Sequence, residues 1–594
     1  MIKSYPIPGV YSSERDLSEL TVIPGVNAAG IVLRASKGRI NTLVPINSQN
    51  RLIERFGEPK FSGRSDTPEF GYGLYTALEY LKESDQLTVV RVPDYEGGDA
   101  YANAVISLDD DDILYDNISL TPDQAFADKL NTRTKIYDID NQTVADKFLI
   151  SCTGPGKDGN NIGVRIQFFG KDADWKYSYD DPDEIDTFLA EDYDYTDYTD
   201  EDWIENLIAP KVFKITVYIK TDKQTFKPIV DETPSNGIRE RDFYVSLNDI
   251  KDNNNRSLFI KDIINGASES IYTQIGDNST FSLEELHKLD NKSFFIPLKG
   301  GLTKIASDIS GVDIQNGWDF FANKELIDVN ILLVPTYDMG VKQYVNNVII
   351  LQRKRDCMMI AQSGSVDDVV ISDILTGGSN EEEYGYNNPS YIGLYAGYGK
   401  IRDRFNDKFV FIPNVAFAGT AIARTANVAS VSFAPAGDVR ATVPSIEQNV
   451  VFDDEELAEL FAAHINGVKV FSGTGPVIWG QLTALRRNSV LNRINARRTM
   501  LFIQNTVNTF LQSIVFNFNN TASTRQRVDS VISKFLAGLE AAEDIYGFKV
   551  EVVFDEGGDL NVLPIKVFVA PTQSVEFIPI EYSVHRAGVD FDEL

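Results

Sequence analysis

The chain is 594 residues long, 43% hydrophobic and 11% aromatic, with a formal net charge of −31. That length exceeds one core and implies roughly three to five domains, while the acidic balance excludes a surface built to neutralise nucleic-acid phosphates. The two cysteines, Cys152 and Cys357, lie too far apart for a disulfide framework or a metal spacing, so synthesis in a reducing cytoplasm is expected. The start "MIKSYPIPGVYSS" lacks a basic and then apolar leader, and no stretch nears the roughly eighteen apolar residues of a membrane span. Neither a secretory leader nor membrane insertion is expected.

In chain order, "YPIPGVYSSERDLSEL" (Tyr5 to Leu20) comes first. Pro6 and Pro8 fix φ and hold Tyr5 and Ile7 extended, so residues 1–20 are expected to form an arm that packs poorly on itself. Its contact residues are taken as Tyr5, Ile7, Val10 and Tyr11. "NAAGIVLRAS" and "QLTVVRV" read as buried strands. Between them, "NSQNRLIERFG" carries an Asn cap and a Gly stop, and "FGYGLYTALEYLKES" places Leu74, Ala77, Leu78 and Leu81 at helical spacing. Residues 21–93 thus begin an α/β domain.

Over 94–291 helical periodicity fades, and Asp, Tyr, Thr and Asn dominate. "VRIQFFG" and "KVFKITVYIK" read as strands; "SLDDDDILYD" and "DDPDEIDTFLAEDYDYTDYTDEDWIEN", with its acidic run Asp192 to Glu205, read as solvated loops or a small outlying unit. This segment is expected to be a β-rich, outward-facing insertion of one or two subdomains. The α/β texture returns over 292–450 with "DVNILLVP", "CMMIAQ" and "KFVFIPN" as strands and "VKQYVNNVIILQRKR" and "PSYIGLYAGYGKIRDRF" as helices, implying parallel crossovers in an open sheet. Over 451–570, "DDEELAELFAAHING" and "STRQRVDSVISKFLAGLEAAEDIYG" are amphipathic helices, and "FKVEVVF" and "LPIKVFV" form a hairpin. Residues 571–594 end in "SVEFIPIEYSVHR", whose Ile578, Ile580, Tyr582 and Val584 alternate with Phe577, Pro579, Glu581 and Ser583. The pattern suits a half-buried edge strand, so a second extended arm is expected.

Reactive groups are scarce. His287, His464 and His585 sit in three different textures with no metal-ligand spacing, and no metal or cofactor is expected. "CTGPGKDGNN" resembles a phosphate loop, but Ser151 and Asp158 stand where its first Gly and its Ser or Thr are required, and a strand follows instead of a helix. It reads as a tight turn, as do "SGTGP", "LKGG" and "LTGGSNEEE". The acidic run lacks the order of an EF-hand loop. One basic feature stands out: in "LRRNSVLNRINARR", Arg486, Arg493 and Arg497 are spaced by seven and four. A helix would align them as a stripe facing carboxylates of a partner, or internal salt bridges would consume them.

Taken in order, "PGVYSSERDLS", "IPGVNAAGIVLRASKG", "LIERFG", "GPGKDGNNIGVRI", "PLKGG", "LYAGYGKIRDRFNDKFVFIPNVAFAGTAIART", "FAPAG", "HING", "IWGQLTA", "NARRTMLFIQNTV", "FNFNN" and "VAPTQSVEFIPIEYSV" resemble the tail sheath proteins of contractile bacteriophages. The resemblance spans nearly the whole chain, though within 94–291 only "GPGKDGNN" matches. It implies a non-enzymatic subunit of a virion tail, made in the bacterial host's cytoplasm. Such subunits stack as six-membered rings around a tail tube in a metastable extended state and contract when the baseplate triggers them. Implied partners are further copies of the chain, the tube protein, and baseplate and tail terminator proteins. It also implies a C-terminal α/β domain lying innermost, near the tube. The residues add that both arms suit strand addition to a neighbour's sheet, beside its hairpin Phe548 to Val569. The alternatives are the sheath of a tailocin or other injection particle, and an α/β enzyme with a site near "GGSNEEEYGYNN".

Overall fold

The continuous apolar runs of the first hundred residues become strands buried on both sides. A computed structural model of the chain describes residues 27–61, 67–94, 98–109, 112–118, 120, 147–168, 212–222, 225–228, 242–249, 256–275, 289, 292–303, 311–336, 338–378, 385–553 and 561–580. β1 (Ala29–Leu33) is followed by β2 (Val44–Ile46), α1 (Gln49–Phe56), α2 (Gly73–Tyr80) and β3 (Leu87–Arg91). The cap of α1 is Ser48 rather than an asparagine: its hydroxyl accepts the Arg51 backbone N–H at 3.3 Å.

The insertion is β-rich. Its strands are β4 (Asn103–Asp109), β5 (Asp112–Asp116), β6 (Lys147–Cys152), β7 (Ile162–Phe168), β8 (Phe213–Asp222), β9 (Thr225–Pro228) and β10 (Phe243–Val245). After α3 (Ile260–Ala267) come β11 (Ile271–Ile275) and β12 (Ser293–Pro297). They form two antiparallel sheets, β10-β8-β7-β12 with β9 on β8, and β11-β6-β4-β5. One core serves both, with Ile106, Phe148 and Ile150 from one sheet meeting Val164, Ile166, Phe213 and Phe243 from the other. "SLDDDDILYD", read as a loop, is the β4–β5 hairpin; its aspartates mask Ile106 and Ile113, which point into that core. β12 carries the unit beyond residue 291. The acidic stretch Asp192 to Glu205 and His287 lie outside the described residues.

The sheet domain then resumes with α4 (Gly311–Asp319), β13 (Ile331–Val334), α5 (Met339–Tyr344, prolonged by a π turn), β14 (Met358–Ser363) and α6 (Ile371–Gly378). Next come β15 (Ile392–Ala396), β16 (Tyr398–Asp403), β17 (Lys408–Pro413), α7 (Asn414–Val428), β18 (Glu447–Gln448), α8 (Asp454–Ala462) and β19 (Ile465–Asn466). The helix expected from "PSYIGLYAGYGKIRDRF" is instead β15 and β16, separated by Gly397 at φ +80. That left-handed residue lets the chain leave the parallel sheet and turn into an antiparallel hairpin with β17.

The main sheet runs β19-β15-β14-β13-β1-β3-β2, parallel except for β2 at its edge. Its residues alternate between two cores, as a sheet covered on both faces requires. Ile31, Leu33, Val89, Leu333 and Ile360 pack with α2 and α7, whereas Val32, Val90, Leu332, Val334 and Met359 pack with α4 and α5. Because β19 belongs to this sheet, the domain continues past the boundary expected at residue 450.

The C-terminal elements are β20 (Val468–Phe471), β21 (Gly475–Ile478), α9 (Ile494–Gln512), α10 (Ala522–Ala541), β22 (Ile545–Val552) and β23 (Ile565–Pro571). α9 joins two cores: Ile494 and Leu501 belong to the sheet domain, Ile503 and Val507 to a cluster with Val528, Ile532, Leu536 and Ile545. Val528, Ile532 and Leu536 recur every four residues, which places one buried stripe of α10 against β22 and β23.

Candidate assembly site

The glycine-rich "GPGKDGNN" is a joint between domains. A Cβ on Gly154 would lie 1.7 Å from the Gly38 carbonyl oxygen, so only glycine permits this approach of insertion to sheet domain. The buried guanidinium of Arg91 donates to the carbonyls of Ala35 (3.0 Å) and Gly38 (2.6 Å) on one side and Pro155 (2.6 Å) on the other. Around it, Asp158 takes the Ser36 hydroxyl (2.5 Å) and Lys60 (2.8 Å), and Arg55 pairs with Glu269 at 2.5 Å. Burial pulls the Arg91 pKa down to about 10, partly offset by Asp99, so Arg91 remains a cation at neutral pH. A buried cation between carbonyl dipoles was not legible in the sequence, because its hydrogen-bond acceptors are backbone atoms.

The C-terminal unit offers an open sheet. β22 and β23 pair only with each other among the described residues. Val550, Val552, Ile565 and Val567 turn toward the helices, leaving Tyr546 and Phe568 exposed. A two-stranded ribbon carries unpaired backbone groups along both edges, the condition for accepting another strand.

From β23 the chain runs back across the sheet domain and is held at its root. Thr572 Oγ1 donates to the Asp544 carbonyl at 2.9 Å. Glu576 accepts from Arg493 Nε at 2.8 and 2.9 Å and from Gln481 Nε2 at 2.9 Å. The Phe577 ring meets Phe461 edge-on at 5.9 Å, and Arg493 also lies over Phe461. Beyond this clasp Phe577, Ile578 and Ile580 are exposed by 71, 73 and 65%. The half-buried edge strand expected here is therefore not formed through Ile580: the segment has no strand partner among the described residues. Tyr582 and Val584 lie outside the described residues, as do Tyr5, Ile7, Val10 and Tyr11 of the first arm.

The arginine stripe needs correction. α9 begins at Ile494, so Arg486 sits on the preceding loop and Arg493 is the cap residue. Arg493 is committed to Glu576, and Arg497 is buried, its Nη2 donating to Ser390 Oγ at 2.6 Å with Tyr391 stacked 4.1 Å below. Burial lowers the Arg497 pKa and the tyrosine opposes that shift. Of the three, Arg486 alone is exposed. The sequence missed Glu576, Phe461 and Gln481; a heavily charged side chain inside an apolar arm was the one available signal.

His464 holds a structural contact, Nδ1 to the Thr483 carbonyl at 2.8 Å. No three His, Cys, Asp or Glu side chains converge as metal ligands among the described residues, and no described helix is long and apolar enough to cross a membrane.

Comparison with family models finds no match. The tail sheath protein of Enterobacteria phage T4 is 25% identical over 325 residues, 51% of this chain and 49% of that protein. The tail sheath protein of Salmonella phage ViI is 22% identical over 357 residues, 58% of this chain and 52% of that protein. The chain is thus similar to phage tail sheath proteins over about half of its length. It spans about half the length of these curated relatives. In fold it is similar to the sheath tail protein Lin1278 of Listeria innocua, with a TM-score of 0.52, 12% identity and 92% of each chain covered.

Proposed function

We propose that this chain is the structural subunit of a contractile tail sheath. Copies stack as six-membered rings around a tail tube, held extended in a metastable lattice until a baseplate signal releases them. Contraction then drives the tube through the host envelope. The work is mechanical: a lattice of many subunits needs only a few kcal/mol per subunit between two packings.

The observation that carries this reading is the C-terminal segment, clasped at Glu576 and apolar and exposed from Phe577 onward, in a chain similar to sheath proteins. Exposed contiguous apolar residues mark an interface. A neighbour's β22–β23 edge supplies the backbone partners such a segment needs, and the arm over 1–20 serves the same purpose from the other end. The insertion faces outward and the α9–α10 unit inward, with Arg486 at a tube or neighbour contact.

The test is negative-stain microscopy and sedimentation of the purified chain with and without residues 2–17. The intact chain is expected to form long tubes, and the shortened chain to remain a folded, soluble monomer. Tubes formed equally well by both would overturn strand lending, and discrete particles from the intact chain would overturn the sheath reading.

A further inference from the structure

We propose that the β16–β17 hairpin is a docking surface for a second copy of this chain, which presents the acidic start of its α8. The inference rests on the reading that copies assemble, and adds which faces meet.

The hairpin is amphipathic in an unusual sense. Val410 and Ile412 turn inward and are fully buried, whereas Phe409 is 53% exposed and Phe411 half-buried on the outer face. Register places Lys400 opposite Phe411 and Arg402 opposite Phe409. Cations therefore share that face with aromatic rings: Lys400 lies 5.1 Å from the Phe411 centroid and, at the turn, Arg404 lies 4.7 Å from that of Phe405. Lys408 covers Phe61 at 5.1 Å. Lys400 pairs with Glu447 at 2.7 Å and Arg402 with Asp407 at 2.5 Å, so the four cations leave a net excess of two positive charges here, on a chain of net charge −31. The third acid, Asp403, is buried and accepts the backbone N–H groups of Phe405 (3.0 Å) and Asn406 (3.1 Å), which fixes the turn. Asn406 also donates to the Pro59 carbonyl at 2.8 Å. The basic tip is thus pre-organised, so little ordering is lost on binding.

The complementary face is the first turns of α8. Asp453 and Glu456 close a capping box, and Glu455 and Glu459 stand exposed with Asp454, which pairs with Lys469 at 2.6 Å, beside the exposed apolar Val451 and the part of Phe461 that Phe577 and Arg493 leave open. The hairpin likewise has an apolar border in Phe409 and Ile446. Charge with apolar flanks on both sides is the make-up of a protein contact.

Topology keeps the hairpin tip, with Arg402 and Arg404, away from α8 within one copy, although the hairpin base leaves β15 beside β19 and pairs with β18. The hairpin tip is braced on Pro59 and Phe61, just after α1, which packs on edge strand β2. α8 packs on β19, the opposite edge of the same seven-stranded sheet. Strand spacing sets those edges roughly 30 Å apart. Two different, complementary patches on separate parts of a subunit make a head-to-tail contact, which propagates instead of closing on itself.

The experiment compares three variants: Arg402→Glu with Arg404→Glu, Glu455→Lys with Glu459→Lys, and all four changes together. The readout is the protein concentration needed for polymerisation, by sedimentation and microscopy, with circular dichroism and thermal unfolding to verify that the exposed substitutions leave the fold intact. Each pair alone is expected to raise that concentration about ten-fold or more, because like charges then face each other, and the four together to return it to within about three-fold of wild type. Single pairs without effect, or a fourfold variant no better than the worse pair, would overturn this contact while leaving the sheath reading standing. A wild-type chain that stays monomeric at every concentration would overturn both. Rescue of binding by a purified tube protein, with no rescue by the compensating pair, would reassign the hairpin to that partner.

Discussion

Lys342 shows how one buried group ties stability to pH. It lies on α5 with its Nζ donating to the Gln362 carbonyl at 3.1 Å and no solvent exposure. Burial lowers its pKa from 10.5 to about 8, with Asp338 opposing. Between those values the unfolded chain binds more protons than the folded one, so this group makes stability rise with pH from about 8 to 10.5. Below 8 the fold carries a buried cation. Lys342→Met should therefore stabilise most near pH 7, by an amount of the order of 3 kcal/mol, and its advantage should shrink toward pH 10.5. Denaturant midpoints of both proteins at pH 7, 9 and 10 check this; parallel curves would refute it. At this scale the sequence misled for Arg497 as well, because spacing assigns a face only if the helix boundary is known, and α9 starts after Arg493.

Among elements, the clasp on the C-terminal segment is the informative case. Glu576 and Arg493 are partly exposed, 22% and 21% at their side chains, so their pair contributes about 1 kcal/mol at most. Glu576→Gln with Phe577→Ala is therefore expected to leave global unfolding almost unchanged while freeing the segment. Hydrogen exchange over 572–580 should speed up and cleavage there by a protease of broad specificity such as proteinase K should increase; unaltered protection would contradict the clasp. Elements with strong period were legible. The acidic first turns of α8 and the stripe of α10 announced both helices, as the unbroken apolar runs announced β1, β3, β13 and β14. β15 and β16 were not, because "IGLYAGYGKI" satisfies helical and strand patterns alike. A glycine in the left-handed region and burial between two covered faces decided for strands.

For the molecule as a whole, the joint at Gly154 sets how the insertion travels with the sheet domain. A methyl group there would meet backbone, not a side chain that can move away. Gly154→Ala is expected to cost about 3 kcal/mol or more and to split thermal unfolding into two transitions as the insertion uncouples. Calorimetry checks it, and a single transition at the wild-type temperature would argue against a tight joint. With the joint intact, insertion and sheet domain are expected to unfold as one unit.

The sequence by itself determined the α/β core, the β-rich insertion, the amphipathic C-terminal helices, the hairpin and the acidic surface, since each is written in local periodicity, turn chemistry or composition. It also carried the likeness to sheath proteins. Tertiary structure alone decided that Arg91 welds two domains, that Arg497 faces inward, and that Glu576 fastens the arm. It alone carried the basic hairpin tip to the β2 side of the sheet, away from the acidic helix on β19. Those facts depend on groups distant in sequence and on backbone carbonyls, which every residue possesses and no residue type reveals.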